Sequence, residues 1–175
     1  GVNFNAGAIT SGGTVVLGGG TIKGIERFGT ITTGAFNDFV QLGAQSGTVT
    51  IKTGGGNDTI FTGSSDTIID AGDGNDTIFS GPGLDQIDGG TGIDTVDYSA
   101  SVSGIALVLG TLAPGGDTLV NIENIKGTAQ ADSITGDAGA NRLDGGAGND
   151  MLDGGDGNDL LIGGAGADNL IGGAG

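Results

Sequence analysis

The sequence predicts an all-β solenoid, a chain wound into coils whose short strands stack on one another. Three observations carry this expectation. A nine-residue unit GGxGxDxUx, with U a large aliphatic residue, recurs without insertion in GGAGNDMLD (Gly145–Asp153), GGDGNDLLI (Gly154–Ile162) and GGAGADNLI (Gly163–Ile171). Glycine supplies 42 of the 175 residues, with 2 prolines and no three-residue period, which excludes collagen. Aliphatic residues return on schedule at Ile60, Ile68, Ile78, Ile87 and Val96, and again at Ile134, Leu143, Leu152, Leu161 and Leu170, a regularity that a disordered linker does not keep. A unit of nine residues cannot bury an apolar face alone, so it stacks on copies of itself.

Taken in order, residues 1–52 are a lead-in segment of alternating aliphatics, consistent with ordinary strands. Residues 53–97 form a first block: TGGGNDTIF, TGSSDTIID, AGDGNDTIF, SGPGLDQID and GGTGIDTVD. Residues 98–126 form a second lead-in, and 127–175 a second block that opens with GTAQADSIT and GDAGANRLD and closes on the partial unit GGAG. The stretch Val2–Phe28 matches Val96–Ile125, pairing Phe4 with Tyr98, Val15–Leu17 with Leu107–Leu109, and Ile25–Glu26 with Ile122–Glu123. The chain therefore reads as two tandem modules cut from a longer array. The lead-in segments either continue the solenoid without metal or form a local sandwich. Glu26 and Glu123, in matching Ile-Glu contexts, invite a reading as metal or acid–base residues, but the better one takes them as polar neighbours of inward-facing Ile25 and Ile122.

Within a unit, glycines at positions one, two and four allow a sharp turn through left-handed backbone conformations. Positions seven to nine then form a short strand with position eight inward. If one unit makes half a coil, units two apart share a sheet edge, and the aspartates of one edge recur at every second unit. Asp58, Asp76 and Asp94 form one such ladder, and Asp132, Asp150 and Asp168 another. On the opposite edges Asp159 pairs with Asn141, beside the cationic Arg142, and Asp85 faces Asp66. Asp66 follows Asp58 one position short of a full unit, so its turn is distorted. Both of these pairings are expected to be weak.

Carboxylates held together in tight turns repel one another unless a cation lies between them. With 21 acidic against 5 basic residues and a net charge of −16, nucleic acid is excluded as a partner. Cysteine and histidine are absent, which leaves hard oxygen ligands and points to calcium rather than zinc; magnesium keeps more of its water. No apolar run reaches the length of a membrane span. Turn-favouring aspartates explain a single GxGxD, but not consecutive copies at constant spacing.

These units resemble the nonapeptides of RTX (repeats-in-toxin) proteins, over most of 53–97 and 127–175. The resemblance implies a right-handed parallel β-roll with several calcium ions between adjacent turns. It also implies the ligands: carbonyls of positions two and four and the position-six Asp of one turn, with carbonyls of positions one and three and the Asp two units later. Carried over, the sets are Gly54, Gly56, Asp58, Ala71, Asp73, Asp76; Gly72, Gly74, Asp76, Gly89, Thr91, Asp94; and Gly146, Gly148, Asp150, Gly163, Ala165, Asp168. A further set joins Thr128, Gln130 and Asp132 to Gly145, Ala147 and Asp150, where Thr128 and Gln130 replace glycines. Gly154, Asp156 and Asp159 belong to the turn facing Asn141, and Asp66 and Asp85 complete the candidates. The resemblance further implies export by a bacterium through a type I channel and folding outside the cell.

No catalytic constellation is present: serines have no histidine base, and the aspartate pairs are already assigned to metal. The expected role is non-enzymatic, a calcium-dependent segment of a surface layer, adhesin or extracellular matrix, with copies of itself as candidate partners. The alternatives are a secretion and folding module of a toxin or hydrolase, and a carbohydrate-binding accessory module, for which 7 aromatic residues give little material. Phe61 and Phe79, two units apart at position nine, stack on one outward face, as a contact for another chain or covered by Phe39 or the threonine-rich loop.

Overall fold

The computed structural model describes residues 29–44, 47–111 and 116–175, together with the backbone of three strands before residue 26. The described strands pair only in parallel and build three sheets. The first has nine strands: β1 (Val2–Asn5), β3 (Gly20–Ile25), β5 (Phe39–Leu42), β7 (Thr59–Phe61), β9 (Thr77–Phe79), β11 (Thr95–Asp97), β14 (Asn124–Lys126), β16 (Arg142–Asp144) and β18 (Leu160–Ile162). The second has six: β2 (Thr14–Val16), β4 (Thr30–Thr32), β6 (Val49–Gly55), β8 (Thr67–Asp73), β10 (Gln86–Asp88) and β13 (Thr118–Val120). The third has four: β12 (Ala106–Val108), β15 (Ser133–Thr135), β17 (Met151–Asp153) and β19 (Asn169–Ile171). This is a parallel β-roll.

Its core follows from the alternation of a three-residue strand, whose middle side chain alone points inward. Val40, Ile60, Ile78, Val96, Ile125 and Leu143 stack in register along the first sheet, Ile31, Ile51, Ile69, Ile87 and Leu119 along the second, and Leu107, Ile134 and Leu152 along the third, all buried. The nine-residue schedule holds through the Asp66 turn, and it corrects the expectation of an inward Ile68: position eight of TGSSDTIID is Ile69, which is buried in register with Ile51 and Ile87, whereas Ile68 at position seven is 39% exposed. Leu161 is half-buried and Leu170 exposed, since β19 pairs with β17 alone.

Both lead-in segments continue the solenoid rather than forming a separate sandwich, but they do so differently. In the first, β1 pairs with β3 across a coil of two-unit length (Val2↔Gly20); in the second, β11 pairs with β14 across a longer one (Thr95↔Asn124). β2 joins the second sheet, whereas β12, its counterpart in the longer repeat, starts the third. Leu17, Glu26, Phe28 and residues 113–115 lie outside the described residues. Phe61 and Phe79 stack at 4.4 Å with rings 6° apart, and Phe39 tilts against Phe61 at 5.5 Å. No helix among the described residues is long and apolar enough to cross a membrane.

Candidate metal centres

Each aspartate ladder sits where a turn enters a strand. Along the first sheet the residues just before β5, β7, β9, β11, β14, β16 and β18 are Asp38, Asp58, Asp76, Asp94, Glu123, Asn141 and Asp159. They interlock: one carboxylate oxygen accepts the backbone N–H of the ladder residue a coil earlier. The distances are 2.7 Å for Asp58 to Asp38, Asp76 to Asp58 and Asp94 to Asp76, 2.8 Å for Glu123 to Asp94, and 2.9 Å for Asp159 to Asn141. Along the third sheet Asp132, Asp150 and Asp168 do the same for Ile105, Asp132 and Asp150 at 2.8, 2.9 and 3.1 Å. The two-unit spacing thus places ladder members on one edge, as the sequence implied.

The second carboxylate oxygen separates the ladders into kinds. Oδ2 of Asp58, Asp76, Asp94, Asp150 and Asp159 is buried with no hydrogen-bond partner. A buried carboxylate oxygen without a donor is costly. In the turns of Asp94, Asp150 and Asp159 the side chain folds back over the first residue of its own unit, so that a Cβ on Gly89, Gly145 or Gly154 would collide with Oδ2. The gap above is lined by carbonyls. Gly72 and Gly74 donate to the carbonyls of Gly89 and Thr91 at 3.1 and 2.8 Å, and Thr91 donates to Gly72 at 2.8 Å; Gly148 donates to Ala165, and Ala165 to Gly146, each at 2.9 Å. A carbonyl that accepts one hydrogen bond keeps a second lone pair. Gly72 and Gly74 lie at φ 102° and 138°, conformations that only glycine adopts without strain. Among the described residues no three acidic side chains converge on one point. A cation in these gaps therefore draws on two carboxylates and on backbone oxygens, a donor set that fits calcium.

The sets around Asp58/Asp76, Asp76/Asp94 and Asp150/Asp168 are brought together in this way, with Gly54 opposite Gly72 and Gly56 donating to the Asp73 carbonyl at 2.8 Å. The Ala71 carbonyl also accepts the Thr53 hydroxyl at 2.9 Å. Asp156 bridges to Ala174, and a cavity of about 370 Å³ lies between Asp159 and the turn Gly172–Gly175.

At three expected sites the residue of the earlier turn, Asp132, Asn141 or Asp66, has no orphaned buried oxygen. Asp132 spends both oxygens: Oδ2 on the Thr128 N–H at 2.7 Å, and Oδ1 on the Thr128 hydroxyl and on Ile105. Thr128 supplies a donor to each, its backbone N–H to Oδ2 and its hydroxyl to Oδ1. The Asn141 amide oxygen accepts the Asp137 N–H at 2.9 Å, and Arg142 is turned to Asp144 at 3.2 Å. Asp66 does not face Asp85. It accepts the Leu84 N–H at 3.0 Å in the row that Asn57 and Asn75 occupy at position five, and Thr67 takes the place opposite Asp85. Asp85 in turn shares the single Ser80 hydroxyl proton with Asp117, at 2.9 and 3.0 Å, and Asp117 also accepts the Tyr98 hydroxyl at 2.7 Å. Hydroxyls fill that edge where a cation would otherwise lie.

Sequence reasoning missed Asp38, Asp117 and Glu123 as ladder members. A signal existed for each: Asn-Asp at 37–38 repeats Asn-Asp at 57–58, and Asp117 and Glu123 each stand two residues before a buried aliphatic, Leu119 or Ile125.

Burial, then the charges of ladder neighbours, pushes the Asp58, Asp76 and Asp94 carboxyls up to about 6, against the hydrogen bonds that hold them down. Burial, with Asp132 and Asp168 nearby, also raises Asp150. A carboxyl raised in the folded state stabilises that state fully below its unfolded value near 3.8, and this contribution disappears as pH rises through about 6. Asp97 runs the other way: burial is outweighed by Ser99 and Lys126, which hold it low. The calcium-free chain is therefore expected to gain strand structure on acidification from pH 7 to pH 4, a proton replacing the cation. Circular dichroism in chelator checks this, and an unchanged spectrum across that range would refute it.

A family model of the RTX calcium-binding nonapeptide repeat matches this chain in four copies, at residues 32–67, 61–96, 121–152 and 149–175. Comparison with curated proteins gives no match. The matched segments cover more than half of the sequence, and they include the stacked carboxylate gaps just described. The chain belongs to the RTX calcium-binding nonapeptide-repeat family.

Proposed function

We propose that this segment is a calcium-set structural element of a larger secreted RTX protein, without catalytic activity of its own. RTX repeats of this kind are typical of calcium-binding segments of proteins secreted by bacteria. The observation that carries the reading is the row of buried Oδ2 atoms that have no protein donor. Filled by calcium, each gap joins one coil to the next, so the ions act as the ties of the solenoid. Asp76 is shared between neighbouring gaps, which makes filling of one gap favour the next. The acidic pairs have a role in this scheme that leaves none in position for acid–base chemistry.

The tandem modules favour an extended assembly, such as a surface layer, adhesin or matrix, over a secretion tail. Sedimentation velocity across a concentration series with saturating calcium tests this. Growth into filaments or lattices is the expected result. A compact monomer at every concentration would overturn the array reading and favour a folding module that serves another domain.

A further inference from the structure

We propose that Asp94, Glu123 and the Asn121 carbonyl form a further calcium site, which carries the first ladder across the second lead-in segment. The proposal rests on the calcium reading above but concerns a turn with no GGxGxD sequence. Between β13 and β14 the connection is Asn121-Ile122-Glu123 alone, where the regular turn between β10 and β11 spans 89–94. So short a turn has no room for the glycine loop that presents a position-six aspartate. Two substitutions compensate.

The first is Glu123, whose longer side chain reaches back to the ladder. Its Oε2 accepts the Asp94 N–H at 2.8 Å, the place an aspartate Oδ1 holds in every regular step. The second is Asn121, at φ 52° the sole non-glycine residue in the left-handed region among the described residues. Asparagine tolerates that conformation better than most side chains. Its Nδ2 is tied to Asp88 at 2.8 Å, and its carbonyl lies over Gly89. A Cβ on Gly89 would meet both the Asn121 carbonyl and Asp94 Oδ2. A Cβ on Gly154 would likewise meet both the Gly172 carbonyl and Asp159 Oδ2. The second lead-in thus rebuilds the carbonyl-and-carboxylate gap of a nonapeptide with other residues.

The independent sign of a ligand is Asp94 itself, fully buried, with Oδ2 lacking any donor. At the start of the third-sheet ladder the equivalent oxygen has a donor: the Thr128 backbone N–H bonds Asp132 Oδ2, and the Thr128 hydroxyl bonds Oδ1. Asp94 Oδ2 has no such donor. A second carboxylate, Glu123, stands on the same gap, and two negative groups around an unpartnered oxygen require a cation rather than a hydrogen-bond donor.

In crystals of this chain grown with calcium, anomalous difference density is expected between Asp94 and Glu123, as well as in the Asp58/Asp76 and Asp76/Asp94 gaps. Peaks in those two gaps with none at Glu123 would overturn the proposal and leave the calcium reading intact; peaks in none would overturn both. In solution, Glu123→Gln and Glu123→Asp are each expected to bind one ion fewer than the parent by equilibrium dialysis, the second because its arm is too short. An unchanged ion count in both variants would overturn the site.

Discussion

Chelation of calcium at neutral pH is expected to abolish most of the strand circular dichroism of this chain and to expand it. A fully unfolded chain of 175 residues has a radius of gyration of roughly 45 Å. The reason is a balance between a thin core and a flexible backbone. Each three-residue strand contributes about one buried aliphatic side chain, worth roughly 1.5–3 kcal/mol, while 42 glycines lose more conformational entropy on folding than any other residue would. Against this small margin stand five buried carboxylate oxygens with no donor and a net charge of −16. A site filled at 100 times its dissociation constant stabilises the folded chain by about 2.7 kcal/mol. Three regular gaps then contribute about 8 kcal/mol, comparable to the entire stability of an ordinary domain. Small-angle scattering and circular dichroism before and after chelation decide the matter, and a compact, strand-rich apo chain would contradict it.

The coil and its inward positions were legible because the nine-residue spacing acts on every unit alike. Ile60, Ile78 and Val96 fall in register from spacing alone, and so do the carboxylates of Asp58, Asp76 and Asp94. In TGSSDTIID the carboxylate stands at position five, and aligning on it instead of on the nine-residue length assigns Ile68 for Ile69 and Asp66 for Thr67, since a slip of one residue reverses a strand's faces. The state of each gap was less legible. Whether an aspartate oxygen is left open depends on one donor at a turn position, the Thr128 backbone N–H for Asp132 or the Ser80 hydroxyl for Asp85, and a repeat pattern does not show where such a donor points. Glu123 was hidden for another reason. Its coil is longer than two units, so periodicity does not connect it to Asp94, although the backbone does.

Asp76→Asn is expected to remove two calcium ions per chain, where Asp168→Asn removes one. Asp76 is the central rung of its ladder: its Oδ1 accepts the Asp58 N–H at 2.7 Å and closes the gap below, and its unpartnered Oδ2 opens into the gap above. Asparagine keeps the shape and can still accept the Asp58 N–H, so the effect isolates charge and ligation from packing. Two gaps lost at 100 times their dissociation constants cost about 5 kcal/mol of the loaded chain's stability. Without calcium the sign reverses. Burial and the Asp58 charge push Asp76 up to about 6, so a neutral amide relieves strain that the carboxylate imposes at pH 7, and the calcium-free variant should resist urea better than its parent. Asp66→Asn is the control, because Asp66 already sits in the asparagine row and should change neither ion count nor stability. Calcium counting by equilibrium dialysis, with urea titrations in calcium and in chelator, reads all three variants. A loss of one ion or none in Asp76→Asn, or any loss in Asp66→Asn, would show that the ladder does not bind calcium in the shared, gap-by-gap manner its oxygens imply.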